Sequence, residues 1–139
     1  MIQQPTILII DDNTTNLKVA MQSLAAYSFT ILIAQDGEIG IERAIKAQPD
    51  LILLDVQMPQ IDGFETCRRL KANPRTAKIP VILLTVFTET ALKVRGFEAG
   101  AVDDLTKPID ELELLARVNT HIKLAALQER LEEQVRQQL

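Results

Sequence analysis

Tryptophan is missing from this 139-residue chain, aromatic residues make up only 4% of it, and Cys67 is its single cysteine. One cysteine cannot close an intramolecular disulfide, which excludes a disulfide scaffold and makes a reducing cytoplasm the expected location. Cys67 itself reads as a small apolar helix residue. Long hydrophobic runs are missing too. The longest are four residues, such as Ile7 to Ile10 and Leu51 to Leu54. Nothing approaches a membrane span, and the first residues lack the basic start and apolar stretch of a signal peptide, so no membrane partner is expected. A basic surplus is also absent. The net charge is −4, and phosphate backbones need clustered Lys and Arg, so no nucleic-acid partner is expected. The first turn carries no Gly-x-Gly-x-x-Gly, which speaks against a dinucleotide site.

What is present is an alternation of two apolar patterns, with 47% hydrophobic and 24% charged residues, ordinary for one globular domain. Thr6 to Ile10, Ile31 to Ala34, Leu51 to Leu54 and Val81 to Thr85 are short Ile/Leu/Val-rich runs. They predict strands buried on both faces. Val102 to Thr106 is a fifth, less apolar one. Between them, Asn13 can cap a helix whose Leu17, Ala20, Met21 and Leu24 share one face, and Asp36 can cap a second that buries Ile41, Ala44 and Ile45. Asp62-Gly63 is a turn before a third, running to about Ala72. A fourth spans about Glu89 to Glu98. A fifth starts at Asp110, with Glu113 completing a capping box, Ile109 as staple, and Leu115, Val118 and Ile122 inward. Five βα units predict an α/β fold, a doubly wound five-stranded parallel sheet with helices on both faces.

In such sheets, ligands gather beyond the carboxyl ends of the strands. Asp11 and Asp12 follow the first strand and Asp55 the third, while Thr85 and Lys107 end the fourth and fifth. Three carboxylates and one ammonium sum to −2, and like charges at ~4 Å repel by roughly 4 kcal/mol at an effective dielectric of about 20. Either one carboxylate takes a proton or a divalent cation sits there. Oxygen ligands without His or Cys suit a hard cation such as Mg²⁺. A cation, a free carboxylate, an ammonium and a hydroxyl together suit phosphoryl transfer, with Asp55 as nucleophile. Each residue alone has a plainer use: Asp-Asp as a helix cap, Asp at a strand end as a turn former. Their coincidence at one sheet edge is what carries information.

Ile9-Ile10-Asp11-Asp12-Asn13, Leu53-Leu54-Asp55-Val56-Gln57-Met58-Pro59, Asp62-Gly63, Leu84-Thr85, Gly100-Ala101 and Thr106-Lys107-Pro108 resemble the response-regulator receiver family of two-component signalling. The resemblance runs from about Thr6 to Leu124. It implies a flavodoxin-like strand order 2-1-3-4-5, which spacing alone does not show. It also implies a switch that takes a phosphoryl group from a histidine kinase or phosphotransfer protein onto Asp55, rather than a metabolic enzyme. In that scheme Asp12 binds Mg²⁺ directly, Asp11 through water, and Asp55 and the Gln57 backbone carbonyl complete the metal site. Lys107 contacts the phosphoryl group beside a cis Lys107-Pro108 peptide, and Thr85 swings its hydroxyl to a phosphoryl oxygen. Two positions depart from the family. Val86 stands where Ala or Gly is usual, and Asp104 where Tyr or Phe is usual, which sets Asp104 near solvent and removes the familiar aromatic part of the switch.

These departures keep one alternative open, a receiver-like interaction module rarely phosphorylated in life. A phosphatase of the haloacid dehalogenase kind needs a second Asp two residues after its nucleophile, where Asp11 has Asn13. His121 reads as a surface or packing residue on the fifth helix, away from the site. After Pro108 no Gly or Pro occurs, so that helix is expected to continue to Leu139. Leu124, Leu127, Leu131 and Val135 give it an apolar stripe, with Glu132 and Arg136 as an i, i+4 pair. The expected organisation is a receiver domain over 1–123 and a helical extension over 124–139. That extension serves for homodimerisation or for connection to an output domain after Leu139.

Overall fold

Short β-branched and leucine runs pair into one parallel sheet, and capped amphipathic segments cover it. The computed structural model describes residues 4–139; the extreme start, read above for leader features, lies outside them. The strands are β1 (Thr6–Ile10), β2 (Thr30–Ala34), β3 (Leu51–Asp55), β4 (Val81–Thr85) and β5 (Asp103–Thr106). The helices are α1 (Thr14–Ala25), α2 (Gly37–Ala47), α3 (Gly63–Ala72), α4 (Thr90–Glu98) and α5 (Glu111–Gln138). The sheet order is β2-β1-β3-β4-β5, all parallel, with Ile7 beside Leu51 and Ile52 beside Val81. This is the flavodoxin-like order the resemblance implied.

Four of the five helices begin on the side-chain caps the sequence offered or marked as a turn. Asn13, Asp36, Asp62 and Asp110 accept backbone N–H bonds from Asn16, Ile39, Glu65 and Glu113, at 2.8 to 3.0 Å. Each such cap typically contributes about 1 kcal/mol. α4 is the exception, since Glu89 makes no capping bond.

Two cores flank the sheet. Leu8, Ile10, Ile52, Leu54, Val81 and Leu83 pack with Ala44 of α2 and Phe64, Cys67 and Leu70 of α3. Ile7, Ile9, Leu51, Leu53, Ile82 and Leu84 pack with Leu17 and Leu24 of α1 and Leu114 and Val118 of α5. Alternate residues of each central strand therefore face opposite helical layers. Cys67 is fully buried, and burial pushes its thiol up to about 11, so it behaves as the packing residue expected.

Three expectations need adjustment. β2 is an edge strand, and its Ile31, Leu32 and Ile33 are half-buried rather than buried on both faces. Val102 lies just before β5 and is 40% exposed. Glu132 does not pair with Arg136. It reaches back to Lys78 at 2.6 Å, and Arg136 pairs with Glu133 instead.

A polar cluster on the α5 side went unread in the sequence. Asp103, paired in register with Ile82, points into that layer. Its Oδ2 lies 2.9 Å from Arg117 Nη1 and 2.9 Å from His121 Nε2, and its Oδ1 accepts the Asp104 N–H. His121 is thus a packing residue, 15% exposed, bound to a carboxylate on β5. Burial pushes the Asp103 carboxyl up, but the bonds from His121, Asp104 and Arg117 together pull it below its ordinary value. A depressed carboxylate contributes stability above its unfolded pKa of about 3.9, and that contribution is lost as pH falls through the lower folded value. Asp103→Asn should therefore cost about 2 kcal/mol at pH 7, with the difference from the parent shrinking below about pH 4. Chemical denaturation of both proteins at pH 7 and pH 3 measures this. A constant difference would show that the charge is not the cause.

Candidate functional site

All five polar residues singled out in the sequence converge at the carboxyl edge of the sheet. Asp11 and Asp12 follow β1, Asp55 is the last residue of β3, Thr85 ends β4 and Lys107 follows β5. One carboxylate oxygen from each of Asp11, Asp12 and Asp55 lies within 4.8 Å of the other two. Lys107 Nζ sits 2.7 Å from Asp55 Oδ1 and 3.6 Å from Asp11 Oδ2. Asp11 and Asp55 are buried at 1% and 5% exposure, whereas Asp12 is exposed. The Asn13 N–H donates to Asp11 Oδ1 at 2.9 Å, so Asp11 is already committed to the loop and the ammonium.

Burial pushes the Asp55 carboxyl above its ordinary value. The hydrogen bond from Lys107 offsets part of that, and the neighbouring Asp11 adds repulsion. The single Lys107 ammonium leaves the three clustered carboxylates short of positive charge. Three hard oxygen donors around a point reachable from solvent through Asp12 fit a hard divalent cation, which typically takes one or two carboxylates plus water and phosphate.

The backbone holds this arrangement at two points. The Gly63 N–H donates to Val56 O at 2.8 Å, bringing the start of α3 against the strand end. A Cβ on residue 63 would lie 2.4 Å from Asp55 O and 2.6 Å from Val56 Cα. Only glycine permits that approach. On the other side, Lys107 N–H donates to Thr85 O at 2.7 Å, tying the lysine loop to β4, and Lys107-Pro108 is cis.

Beyond the carboxylates an open cleft of about 480 Å³ is lined by Asp12, Gln57, Met58, Asp62, Phe64, Phe87 and Arg95, among others. Gln57 thus lies at the cleft beside Asp12. Phe87 and Arg95 were not singled out in the sequence. The Arg95 guanidinium lies 4.4 Å from the Phe64 ring centre and 4.0 Å from Asp62. Thr85, 6% exposed, accepts the Phe87 N–H on its hydroxyl oxygen at 2.9 Å. Asp104 is half-buried and, with Thr85 and Phe87, lines a small cavity under α4. It is therefore less solvated than its charge suggested. Val86 is 53% exposed and does not line the cleft.

Residues 7–119 match the model of the response regulator receiver domain. The chain is 43% identical over 114 residues to the response regulator PleD of Caulobacter vibrioides, which covers 82% of this chain and 25% of that protein. It is 43% identical over 119 residues to the DNA-binding dual master transcriptional regulator RpaA of Synechocystis, covering 86% and 49%. The chain spans about a quarter to a half of these relatives. Because one of them binds DNA, family membership gives no support to the expectation of no nucleic-acid partner, which rests on charge alone. Among solved structures, a signal receiver domain of a histidine kinase from Syntrophus aciditrophicus is similar at a TM-score of 0.79 with 34% identity, covering 86% of this chain and 90% of that one. The receiver domain of the sensor histidine kinase PA1611 of Pseudomonas aeruginosa, with magnesium in its active-site cleft, gives a TM-score of 0.81 with 27% identity over 86% and 98% of the two chains. Strand order, the residues at the sheet edge and the family match agree: this chain belongs to the response-regulator receiver family, the signalling switches of two-component systems.

Proposed function

We propose that Asp55 accepts a phosphoryl group in a Mg²⁺-dependent reaction, and that Asp11, Asp12, Gln57, Thr85 and Lys107 serve it. The observation that carries this reading is the position of Asp55. It is a buried strand-end carboxylate 2.7 Å from an ammonium, sharing an oxygen cluster with two further aspartates. A carboxylate oxygen attacks the phosphorus of a phosphohistidine on a histidine kinase or phosphotransfer protein. The P–N bond breaks as the P–O bond forms, and the imidazole leaves with the electron pair.

Asp12 is exposed and, among the described residues, holds no bond that competes with a cation, so it is the direct ligand. Asp11, held by Asn13 and Lys107, acts through water. Asp55 and the Gln57 carbonyl complete the set. When bound, Mg²⁺ neutralises phosphoryl oxygens and fixes their orientation. Lys107 supplies a second positive charge to the same oxygens. Thr85 turns its hydroxyl from the Phe87 N–H toward the phosphoryl group. That breaks the 2.9 Å bond and releases the β4–α4 loop. With Asp104 at the usual aromatic position, Phe87 is the ring this loop moves.

Residues 1–123 form the receiver and 124–139 the extension of α5, which pairs with a second copy and leads toward an output. Among the described residues no helix is long and apolar enough to cross a membrane. A cytoplasmic location fits the free, buried Cys67, and a signalling switch rather than a metabolic enzyme fits the family match. Incubation with acetyl phosphate and Mg²⁺ should add one phosphoryl group by intact mass, and EDTA should prevent it. No incorporation at millimolar donor would favour the interaction module that is rarely phosphorylated.

A further inference from the structure

The open cleft beside the carboxylates is uneven in charge. Among the described residues that line it, Asp12 and Asp62 are acidic and Arg95 alone is basic. Arg95 projects from the second turn of α4. Its neighbour Gly96 is buried, and a Cβ there would lie 2.8 Å from Leu83 Cδ1, so the helix is pressed against β4 at this point. The guanidinium lies over the buried Phe64 ring, 4.4 Å from its centre, which covers one face of its plane. Asp62 is 4.0 Å away, too far for a hydrogen bond. With its side chain 49% exposed, Arg95 keeps N–H donors open to a ligand in the cleft.

We propose that Arg95 receives the negatively charged leaving group of a phosphodonor, and so sets a preference for acyl phosphates over donors with a P–N bond. This rests on Asp55 as phosphoacceptor and adds a residue to which that reading gives no role. Asp55 is buried at the strand end, and its attack on phosphorus is in line with the bond that breaks. The departing group therefore lies on the far side of the phosphorus from Asp55, toward the open cleft that Arg95 lines. Lys107 is engaged on the opposite side, 2.7 Å from Asp55 and 3.6 Å from Asp11. Arg95 is the cation left to meet the departing group.

The chemistry of that group decides what Arg95 contributes. With an acyl phosphate, an Asp55 oxygen bonds to phosphorus as the P–O bond to the acyl group breaks. A carboxylate then leaves with the electron pair and a full negative charge. A guanidinium matches a carboxylate with two parallel N–H donors. The interaction strengthens as the charge develops, so it lowers the barrier rather than only binding the donor. With phosphoramidate the P–N bond breaks and the protonated nitrogen leaves as neutral ammonia. The imidazole of a phosphohistidine likewise leaves uncharged. Neither offers the guanidinium an anion.

The test follows labelling of the full chain over time by intact mass, in Mg²⁺, with acetyl phosphate and separately with phosphoramidate. Arg95→Met keeps an apolar stem to lie over Phe64 and removes the charge. It should slow labelling by acetyl phosphate about tenfold and leave the phosphoramidate rate within about twofold. Arg95→Lys keeps the charge without the fork and should restore part of the acetyl phosphate rate. Both donors use the same Asp55, Lys107 and metal, so damage to the fold or to the metal site moves the two rates together and leaves their ratio alone. Equal slowing with both donors, or an unchanged rate with acetyl phosphate, overturns the proposal. Faster labelling of Arg95→Met by both donors overturns it too, and would make Arg95 a restraint on α4. A parent labelled by neither donor is the separate failure of Asp55 as phosphoacceptor, and the proposal falls with it.

Discussion

Asp55→Asn is expected to abolish phosphorylation by acetyl phosphate entirely while leaving the fold intact. The amide has nearly the same shape, keeps an oxygen to accept from Lys107 Nζ across the present 2.7 Å, and is far too weak a nucleophile to form the acyl phosphate. The same substitution should raise the stability of the metal-free protein near pH 7.5. Burial and the Asp11 charge both work against an ionised Asp55. Removing the charge relieves repulsion on the order of 1–2 kcal/mol at close range in a partly screened site. Thermal unfolding in EDTA would show this as a midpoint about 3–7 °C higher for a domain of this size. The two effects, lost chemistry and gained stability, separate a functional carboxylate from a structural one. A structural Asp55 would lose stability on substitution, and labelling elsewhere would continue.

Asp12→Ala should produce the second large effect. Mg²⁺ binds the native state and finds no assembled site in the unfolded chain, so at 100 times its Kd it stabilises the parent by about 2.7 kcal/mol. Loss of the exposed direct ligand should remove most of this, with metal affinity falling by tenfold or more. In EDTA the variant should instead be as stable as the parent or more so, because one of three clustered carboxylates is gone. With no tryptophan in the chain, calorimetry or an NMR titration is the suitable readout. If Asp12→Ala binds Mg²⁺ as the parent does, Asp12 is not a ligand and the role assigned to Asp11 falls with it.

Much of this was legible in the sequence because the features are local. Ile7 to Ile10, Leu51 to Leu54 and Val81 to Leu84 read as buried strands since their apolar runs tolerate no exposed face, and the central strands are buried along nearly their whole length. The caps at Asn13, Asp36 and Asp110 were readable because a short polar side chain before an amphipathic run satisfies otherwise unpaired N–H groups. The site was legible for a different reason. Strand-end positions in a parallel sheet share an edge, so residues up to 96 positions apart in number, Asp11 and Lys107, are brought together by topology alone.

What escaped notice depends on contacts across elements. Asp103 sits in a strand whose other inward residue, Leu105, is apolar, and only the approach of Arg117 and His121 from α5 makes a charge tolerable there. Phe87 belongs to no periodic segment, so nothing local marked it, yet it packs at the cleft and donates to Thr85. The pairing of Glu132 was missed because sequence spacing sees Arg136 one turn away but not Lys78, which comes from the loop before β4. Asp104 was read by its charge alone. Its half-buried place beside Thr85 follows from the pleat of β5 and from α4 lying over it.

The most direct measurement locates the phosphoryl group chemically. The chain is treated with acetyl phosphate and Mg²⁺, acyl phosphates are reduced with borohydride, which converts a phosphorylated aspartate to homoserine, and the protein is mapped by peptide mass spectrometry. The account predicts one modified position, Asp55, found only with both donor and metal. Modification at Asp11, Asp12 or another residue with Asp55 untouched, or equal modification in EDTA, would contradict it.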